Sequence, residues 1–306
     1  MTNKYILGGG IAGLIAAHYN PDYTIITPEV GGQLAKSKKL LMTFFIHNHI
    51  LTKQLLEDLE IPYKERQIKI YYNYKGQILK EINNKQRLKF ISNKICEHDY
   101  DKNSSNIVDT NLSTQDNFLD VLDNDISLLL KKLKPTKMIN GKIKLINNNR
   151  KFMVYLDEKN NLIKANYNKL ISTIPANDFF YTLYNFNSNY NFRYLPATFV
   201  LSSKRPEFMK ENGLYYIYDS NLIYTRVQNY SDNYVYEITG FCDAKEIAKH
   251  IEDILEIEHR YVGILFKEDV DDLKNIKFLG RMAQWDHSIK TQQVIEKAKE
   301  IFKNEM

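Results

Sequence analysis

Cysteine is nearly absent: Cys96 and Cys242 are the only two in 306 residues. They stand far apart and lack metal-ligand spacing, which excludes a disulfide framework or a structural zinc site as the basis of the fold; reduced thiols in a cytoplasmic protein are expected. Long apolar runs are missing too. None approaches the ~20 residues of a membrane-spanning helix, so no membrane span is predicted. No charged-then-apolar leader precedes the first apolar run, which again predicts a cytoplasmic protein. An excess of one charge is also lacking. Lys and Arg number 42 against 37 Asp and Glu, and the resulting +5 does not by itself imply nucleic acid. The abundance of Asn, Lys, Ile and Tyr has the character of an AT-rich genome and weakens any argument from basic patches. What the chain does have is 43% hydrophobic and 12% aromatic residues, enough for one large or two interleaved domains with a substantial core.

Residues 4–33, KYILGGGIAGLIAAHYNPDYTIITPEVGGQ, are the organising stretch. A short apolar run (Tyr5, Ile6, Leu7) enters Gly8-Gly9-Gly10-Ile11-Ala12-Gly13, a helical pattern follows, and then a second apolar run and Gly31-Gly32. The order is strand, glycine turn, helix, strand. In such a unit the first glycine permits the turn, the second admits a pyrophosphate to the backbone, and the third lets helix and sheet pack closely. The free N–H groups at the helix start favour a diphosphate. Dinucleotide binding is therefore expected.

Downstream, 49–59 reads as a helix, with Leu51, Leu55, Leu56 and Leu59 on one face and Pro62 beyond its end. Before it stand His47 and His49. No third ligand group lies nearby, so no metal is expected; one histidine should point into a cofactor site and the other be solvated or cap the helix. Residues 66–80 predict a β-hairpin turning at Lys75-Gly76, 97–117 a polar loop, and 116–134 an amphipathic helix. Strands are expected at 142–146, 152–156 and 170–174, the last ending in Ser172-Thr173-Ile174-Pro175. A tyrosine-rich antiparallel sheet is expected over 192–240, from strands at 198–202, 214–218, 222–227 and 234–239. Arg226 stands among uncharged strand residues, and a buried cation needs a counter-charge, for which a substrate or cofactor anion is one candidate. A helix starting at Asp243 should run to Leu255; a last strand covers 276–280, and a terminal helix carries Val294, Ile295, Ala298 and Ile301. Between these two lies Arg281-Met-Ala-Gln-Trp285-Asp-His287-Ser-Ile289-Lys290, a dense polar-aromatic segment expected to form part of a site.

The first glycine motif, Gly31-Gly32, the run 170–175 and the closing FLGRMAQWDHSIKTQQVIEKA together resemble the flavoproteins related to UDP-galactopyranose mutase, within the wider clan of amine oxidases and protoporphyrinogen oxidases. The resemblance implies an α/β fold: an FAD-binding Rossmann-like (GR2-type) domain formed by 1–60, 116–175 and 270–306, with an interleaved antiparallel-sheet substrate domain formed by 61–115 and 176–269. It implies FAD as cofactor. Gly8, Gly10 and Gly13, with Ile11 and Ala12 between them, would hold the pyrophosphate, and Gly31, Gly32 and Gln33 would line the flavin side. The strand backbone around Ile143 would meet adenine, and Gly280 and Arg281 the diphosphate–ribityl part. The helix start at Ile289, Lys290 and Thr291 would face the flavin pyrimidine edge, where its N–H groups stabilise reduced flavin. The family's acidic ribose ligand falls at Thr27 or Glu29. Phe44 stands where the mutases carry a first histidine, and His47 matches the second.

The leading functional expectation is an FAD-dependent oxidoreductase taking a hydride from a C–H next to nitrogen or oxygen of a small-molecule substrate, with His47, Arg226, Trp285 and His287 as candidate site residues. The alternatives are redox-neutral mutase-type sugar chemistry on reduced FAD, modification of an amine-bearing group on a nucleic acid or other macromolecule, and a non-catalytic flavin binder. The sequence does not fix an oligomeric state.

Overall fold

The structure, a computed structural model, describes residues 3–36, 45–79, 81–95, 118–185, 190–230 and 232–304. Phe44, Cys96 and the polar stretch 97–117 lie outside the described residues.

The chain passes repeatedly between two sheets. It opens with β1 (Lys4–Leu7), α1 (Ile11–Tyr19), β2 (Thr24–Thr27), α2 (Gln33–Lys36) and α3 (Ile50–Asp58). It then crosses to the second sheet with β3 (Tyr63–Tyr74), β4 (Gln77–Leu79), α4 (Asn84–Ile95), β5 (Phe118–Asn124) and α5 (Ile126–Lys132). It returns through β6 (Met138–Asn147), β7 (Phe152–Asp157), β8 (Leu162–Asn166), β9 (Lys169–Ser172) and α6 (Ala176–Thr182). The second sheet is completed by β10 (Tyr194–Ser202), β11 (Leu214–Tyr218), β12 (Arg226–Tyr230), β13 (Asn233–Thr239), α7 (Ala244–Ala248) and β14 (Ile254–Leu265). β15 (Ile276–Phe278) and α8 (Thr291–Lys303) close the chain back on the first sheet.

The first sheet has the order β15-β9-β1-β2-β6-β7-β8. β15, β9, β1, β2 and β6 are parallel neighbours, and β6, β7 and β8 form an antiparallel meander. Strands buried on both faces read as continuous apolar runs, as YIL and II do here. α1 is apolar nearly all round because it is enclosed: Leu14, Ile15 and Ala16 are buried against Ile6 and Ile25 of the sheet and Ile295 of α8. The opposite face packs Leu7, Ile26 and Phe278 on Phe179 of α6 and Met153 of β7. Each such Leu, Ile or Phe contributes about 1.5–3 kcal/mol of transfer free energy. From β1 the chain moves to β2 on one side and later to β9 on the other, so the carboxyl end of β1 faces a change of direction, where open α/β sheets leave a crevice.

The second sheet has the order β14-β10-β13-β12-β11-β3-β4, with β5 paired to β3. It is not wholly antiparallel: β11 runs parallel to β3, with Leu214 opposite Ile70. The predicted hairpin is present, with its turn at Lys75 (φ 50) and Gly76 (φ 84).

Three expectations need correction. The helix expected at 116–134 is a strand followed by a short helix. Its apolar positions suit either period, and the open edge of β3 decides: seven residues of β5 pair with it, burying Leu119 and Val121 and exposing Phe118 and Asp120. The helix begins only at Asp125, whose carboxylate accepts from Leu128 N at 3.1 Å. β5 thus lies in the second sheet. The helix after Asp243 is also shorter than expected: it stops at Ala248, Asp253 takes φ 47, and 254–265 becomes β14. The strand expected at 222–227 forms at Arg226–Tyr230, and β8 was not anticipated. No helix among the described residues is long and apolar enough to cross a membrane.

Candidate functional site

Three glycine-bearing segments meet at the start of α1. Gly8 takes φ 102, and the helix that follows lies so close to the turn that a Cβ at Gly13 would stand 2.0 Å from the Gly8 carbonyl oxygen. Thr173 lies beneath, its Oγ1 donating to Leu7 O at 2.9 Å. The second segment is tied to the first by Gly31 N donating to Gly9 O at 2.7 Å, and Gly32 lies against the Cα of Gly10. The third comes from the far end of the chain: Gly280 (φ 93) packs on Ala12, and Gln284 Oε1 accepts from its N–H at 3.1 Å. Amid this crowding Gly10 is the exception, because a Cβ there would meet nothing within 4 Å. Gly10 caps α1, and the N–H groups of Ile11, Ala12 and Gly13 have no acceptor one turn back within the helix. Open space at the cap of a helix N-terminus suits a diphosphate.

At the end of β2, Thr27 is buried and its hydroxyl donates to Glu29 O at 2.7 Å, whereas the Glu29 side chain is exposed. The hydroxyl is thus spent on shaping the loop that carries the carboxylate. Gln33 is the exposed first residue of α2. Ile143 lies on β6 beyond Asn140, the last residue paired with β2, and next to a β-bulge between Ile143 and Leu145. Bulges there break pairing and re-aim the backbone.

A cationic corner forms around His47. Its backbone bridges to Val121 of β5, and its carbonyl accepts from Thr52 Oγ1 at 2.7 Å. Burial, and then the charges of Lys290 and Arg281, push the imidazole down to about 4. Arg281 donates through Nε and Nη2 to Ile289 O, each at 3.4 Å, closing the loop that delivers Lys290 to the start of α8. Thr291 is buried in the first turn of that helix. His47, Arg281 and Lys290, distant in sequence, therefore share one corner. His49 has the other expected role: it caps α3, its Nδ1 accepting from Leu51 N at 3.2 Å.

This predicts a pH effect. The folded value of His47 lies below the ordinary 6.5, so the unfolded chain takes up the proton first as pH falls. Stability is therefore full above about pH 6.5 and declines towards pH 4, by roughly 2–3 kcal/mol if the whole shift is expressed. Urea unfolding of the protein and of His47→Gln at several pH values measures it; parallel pH profiles would reject the assignment.

The other expected site residues are placed differently. Arg226 finds its counter-charge inside the protein, in an ion pair with Glu237 directly across on β13, and Lys94 of α4 lies 3.9 Å from the other oxygen of that carboxylate. Trp285 is fully buried, its indole N–H donating to Arg193 O at 3.2 Å and its ring packing on Phe192 and Tyr194, so it offers no face to a ligand. His287 is half-buried in the same loop, whose shape is set by Asp286 Oδ1 accepting from Ser288 N and Oγ. Thr173 belongs to the strand end 172–175 that the sequence had marked by its small hydroxyl residues. Gln284 was not singled out as a supporting residue; it offered only its spacing of four from Gly280.

The architecture is a mixed α/β fold on two sheets. Solved structures with that fold include reduced UDP-galactopyranose mutase (TM-score 0.71, 10% identity, covering 99% of this chain and 93% of that one), a CLA-producing fatty acid isomerase from P. acnes (TM-score 0.63, 11%, 99% and 98%), and putrescine oxidase bound to putrescine (TM-score 0.59, 10%, 99% and 98%). The likeness to the mutase seen in the sequence thus extends to the fold over almost the whole chain. No protein-family model and no curated protein sequence matches it.

Proposed function

We propose that the chain binds FAD in a Rossmann-like first domain and is an oxidoreductase that takes a hydride from a C–H adjacent to nitrogen or oxygen of a small molecule, held between the flavin and the second sheet. The observation that carries this is the convergence of three glycine segments, from both ends of the chain, on a helix start with open space at Gly10. FAD fits it part by part. The N–H groups of Ile11, Ala12 and Gly13 would hold the pyrophosphate; Glu29 would hold the ribose, since the Thr27 hydroxyl is engaged; the β6 backbone near Ile143 would meet the adenine. Gly31, Gly32 and Gln33, with the corner of His47, Arg281, Lys290 and Thr291, would line the flavin end. Bound flavin supplies the hydride acceptor. The protein's part is to orient substrate, exclude water and offer positive charge where reduced flavin carries negative charge. The fold likeness to UDP-galactopyranose mutase supports a second reading, redox-neutral chemistry on reduced FAD at the same site.

The visible spectrum of the purified protein tests the proposal. Oxidised-flavin bands, with FAD released on denaturation, are expected. A colourless protein that takes up no FAD overturns it. Bleaching by a substrate without external reductant supports the oxidoreductase; turnover only after reduction supports the mutase-type reading.

A further inference from the structure

The small excess of positive charge is not spread over the chain. The antiparallel meander of β6, β7 and β8, residues 138–166, carries six Lys or Arg against two Asp or Glu, whereas the remainder carries 36 against 35. A compositional bias towards lysine would raise the count everywhere; this excess is local. Of the two acids, Asp157 is occupied in the turn between β7 and β8, where Oδ1 accepts from Lys159 N at 2.9 Å and from Asn161 N at 2.7 Å. None of the six cations enters an ion pair among the described residues.

The meander has two unlike sides. Register places Ile143, Ile146, Met153, Tyr155, Ile163 and Ala165 on one, and all of them pack in the core that also holds Phe179 of α6. The other side holds Leu145, Phe152, Val154, Leu156 and Leu162, which belong to no core cluster among the described residues. The first four are half-buried, and Leu162 is 69% exposed. Lys164 shares this side, its Nζ 4.3 Å over the Phe152 ring, and Lys144 stands exposed at the bulge beside Leu145. Arg150 and Lys151 occupy the turn at one end of β7 and Lys159 the turn at the other, all three exposed. The result is an apolar strip about 20 Å long, the span of the six residues of β7, rimmed by cations.

An apolar patch with a charged rim marks an interaction site. Its chemistry selects the partner. Five of the six cations are Lys, compact point charges suited to a diffuse negative surface rather than to a fork-like grip on one phosphate. The apolar groups are mostly aliphatic, which suits the boundary between lipid headgroups and acyl chains but gives nucleic-acid bases nothing to stack on. The one ring on this side, Phe152, already lies under Lys164.

We infer that this face docks the protein on an anionic bilayer surface, with Leu162 and its apolar neighbours at the headgroup–acyl boundary and Lys144, Lys159 and Lys164 among the lipid phosphates. The contact is peripheral, made by a sheet face without a spanning segment, and it does not depend on the cofactor reading.

Cosedimentation of the purified protein with vesicles tests the inference. At low ionic strength the protein should bind vesicles of phosphatidylcholine and phosphatidylglycerol in equal parts but not vesicles of phosphatidylcholine alone, and added salt should release it. Lys159→Gln and Lys164→Gln should each weaken binding about fivefold. Leu162→Gln should weaken it at least about threefold with the salt dependence unchanged. All three side chains are exposed, so the melting temperature should stay that of the wild type. No binding to the mixed vesicles, equal binding to both compositions, or binding that the three variants leave unchanged overturns the inference. Retention on double-stranded DNA is measured alongside. Retention without vesicle binding, or a loss of vesicle binding confined to the lysine variants, overturns the lipid assignment.

Discussion

Gly10→Val should yield a folded, colourless protein. The backbone at Gly10 (φ −70, ψ 178) is one that valine adopts freely, and a Cβ there meets no atom of the chain within 4 Å. The fold itself therefore has little objection. Valine is a poorer helix cap than glycine, which costs about 1 kcal/mol or less. The ligand does object. The space the new side chain fills is the space in front of the Ile11, Ala12 and Gly13 N–H groups, where a pyrophosphate would lie. Loss of close approach and of those charge-assisted hydrogen bonds should weaken FAD at least about 100-fold, or roughly 2.8 kcal/mol. Flavin content of the purified variant measures the effect, and the melting temperature of flavin-free protein controls for the fold. Normal flavin content would refute the assignment. Gly13→Val makes the contrast: its Cβ would fall 2.0 Å from the Gly8 carbonyl, so that variant should fail to fold at all.

The contrast between these two glycines explains what the sequence disclosed and what it withheld. A glycine fingerprint records backbone requirements, which are local, so the turn at Gly8, the helix from Ile11 and the parallel strands beside them were legible from thirty residues. Gly31-Gly32 and Gly280-Arg281 were legible as motifs, but their meeting on Gly10 and Ala12 is a tertiary fact. Where two periods fit one segment, local reading failed. The apolar positions of 116–134 satisfy a helix, yet an unpaired edge on β3 made the first half a strand. Arg226 was rightly singled out as a cation needing an anion, but the anion is Glu237, which becomes its neighbour only through the pairing of β12 with β13. A solvated or helix-capping role for one of the two histidines followed from their place at a helical pattern, and the structure gives the cap to His49. The setting of His47 did not, because Arg281 and Lys290 come from the other end of the chain.

The same limit applies to Trp285, and it leads to a large expected stability effect. Its position between Gly280 and the last helix suggested a ligand contact, but the structure gives it a joining role. The indole packs on Phe192 and Tyr194, donates to Arg193 O just before β10, and its carbonyl accepts from Glu268 N just after β14. One residue thus fastens the 281–290 loop to both strands of a pair in the second sheet, at the end where Tyr194 of β10 faces Leu265 of β14. Trp285→Ala should cost about 3–5 kcal/mol in lost burial and cavity formation; the Arg193 carbonyl keeps a donor in Phe266 N at 3.1 Å, so loss of the indole N–H adds only about 1 kcal/mol. Its φ of 49 offers no relief, because alanine is strained there as well. Trp285→Phe keeps most of the apolar volume and loses only the N–H, so it should fall between alanine and the wild type while retaining flavin. Urea unfolding followed by far-ultraviolet circular dichroism is the appropriate measure, since the only tryptophan is the residue removed. Unchanged unfolding of Trp285→Ala would sink the packing account. Loss of flavin from Trp285→Phe at undiminished stability would return the indole to the cofactor site.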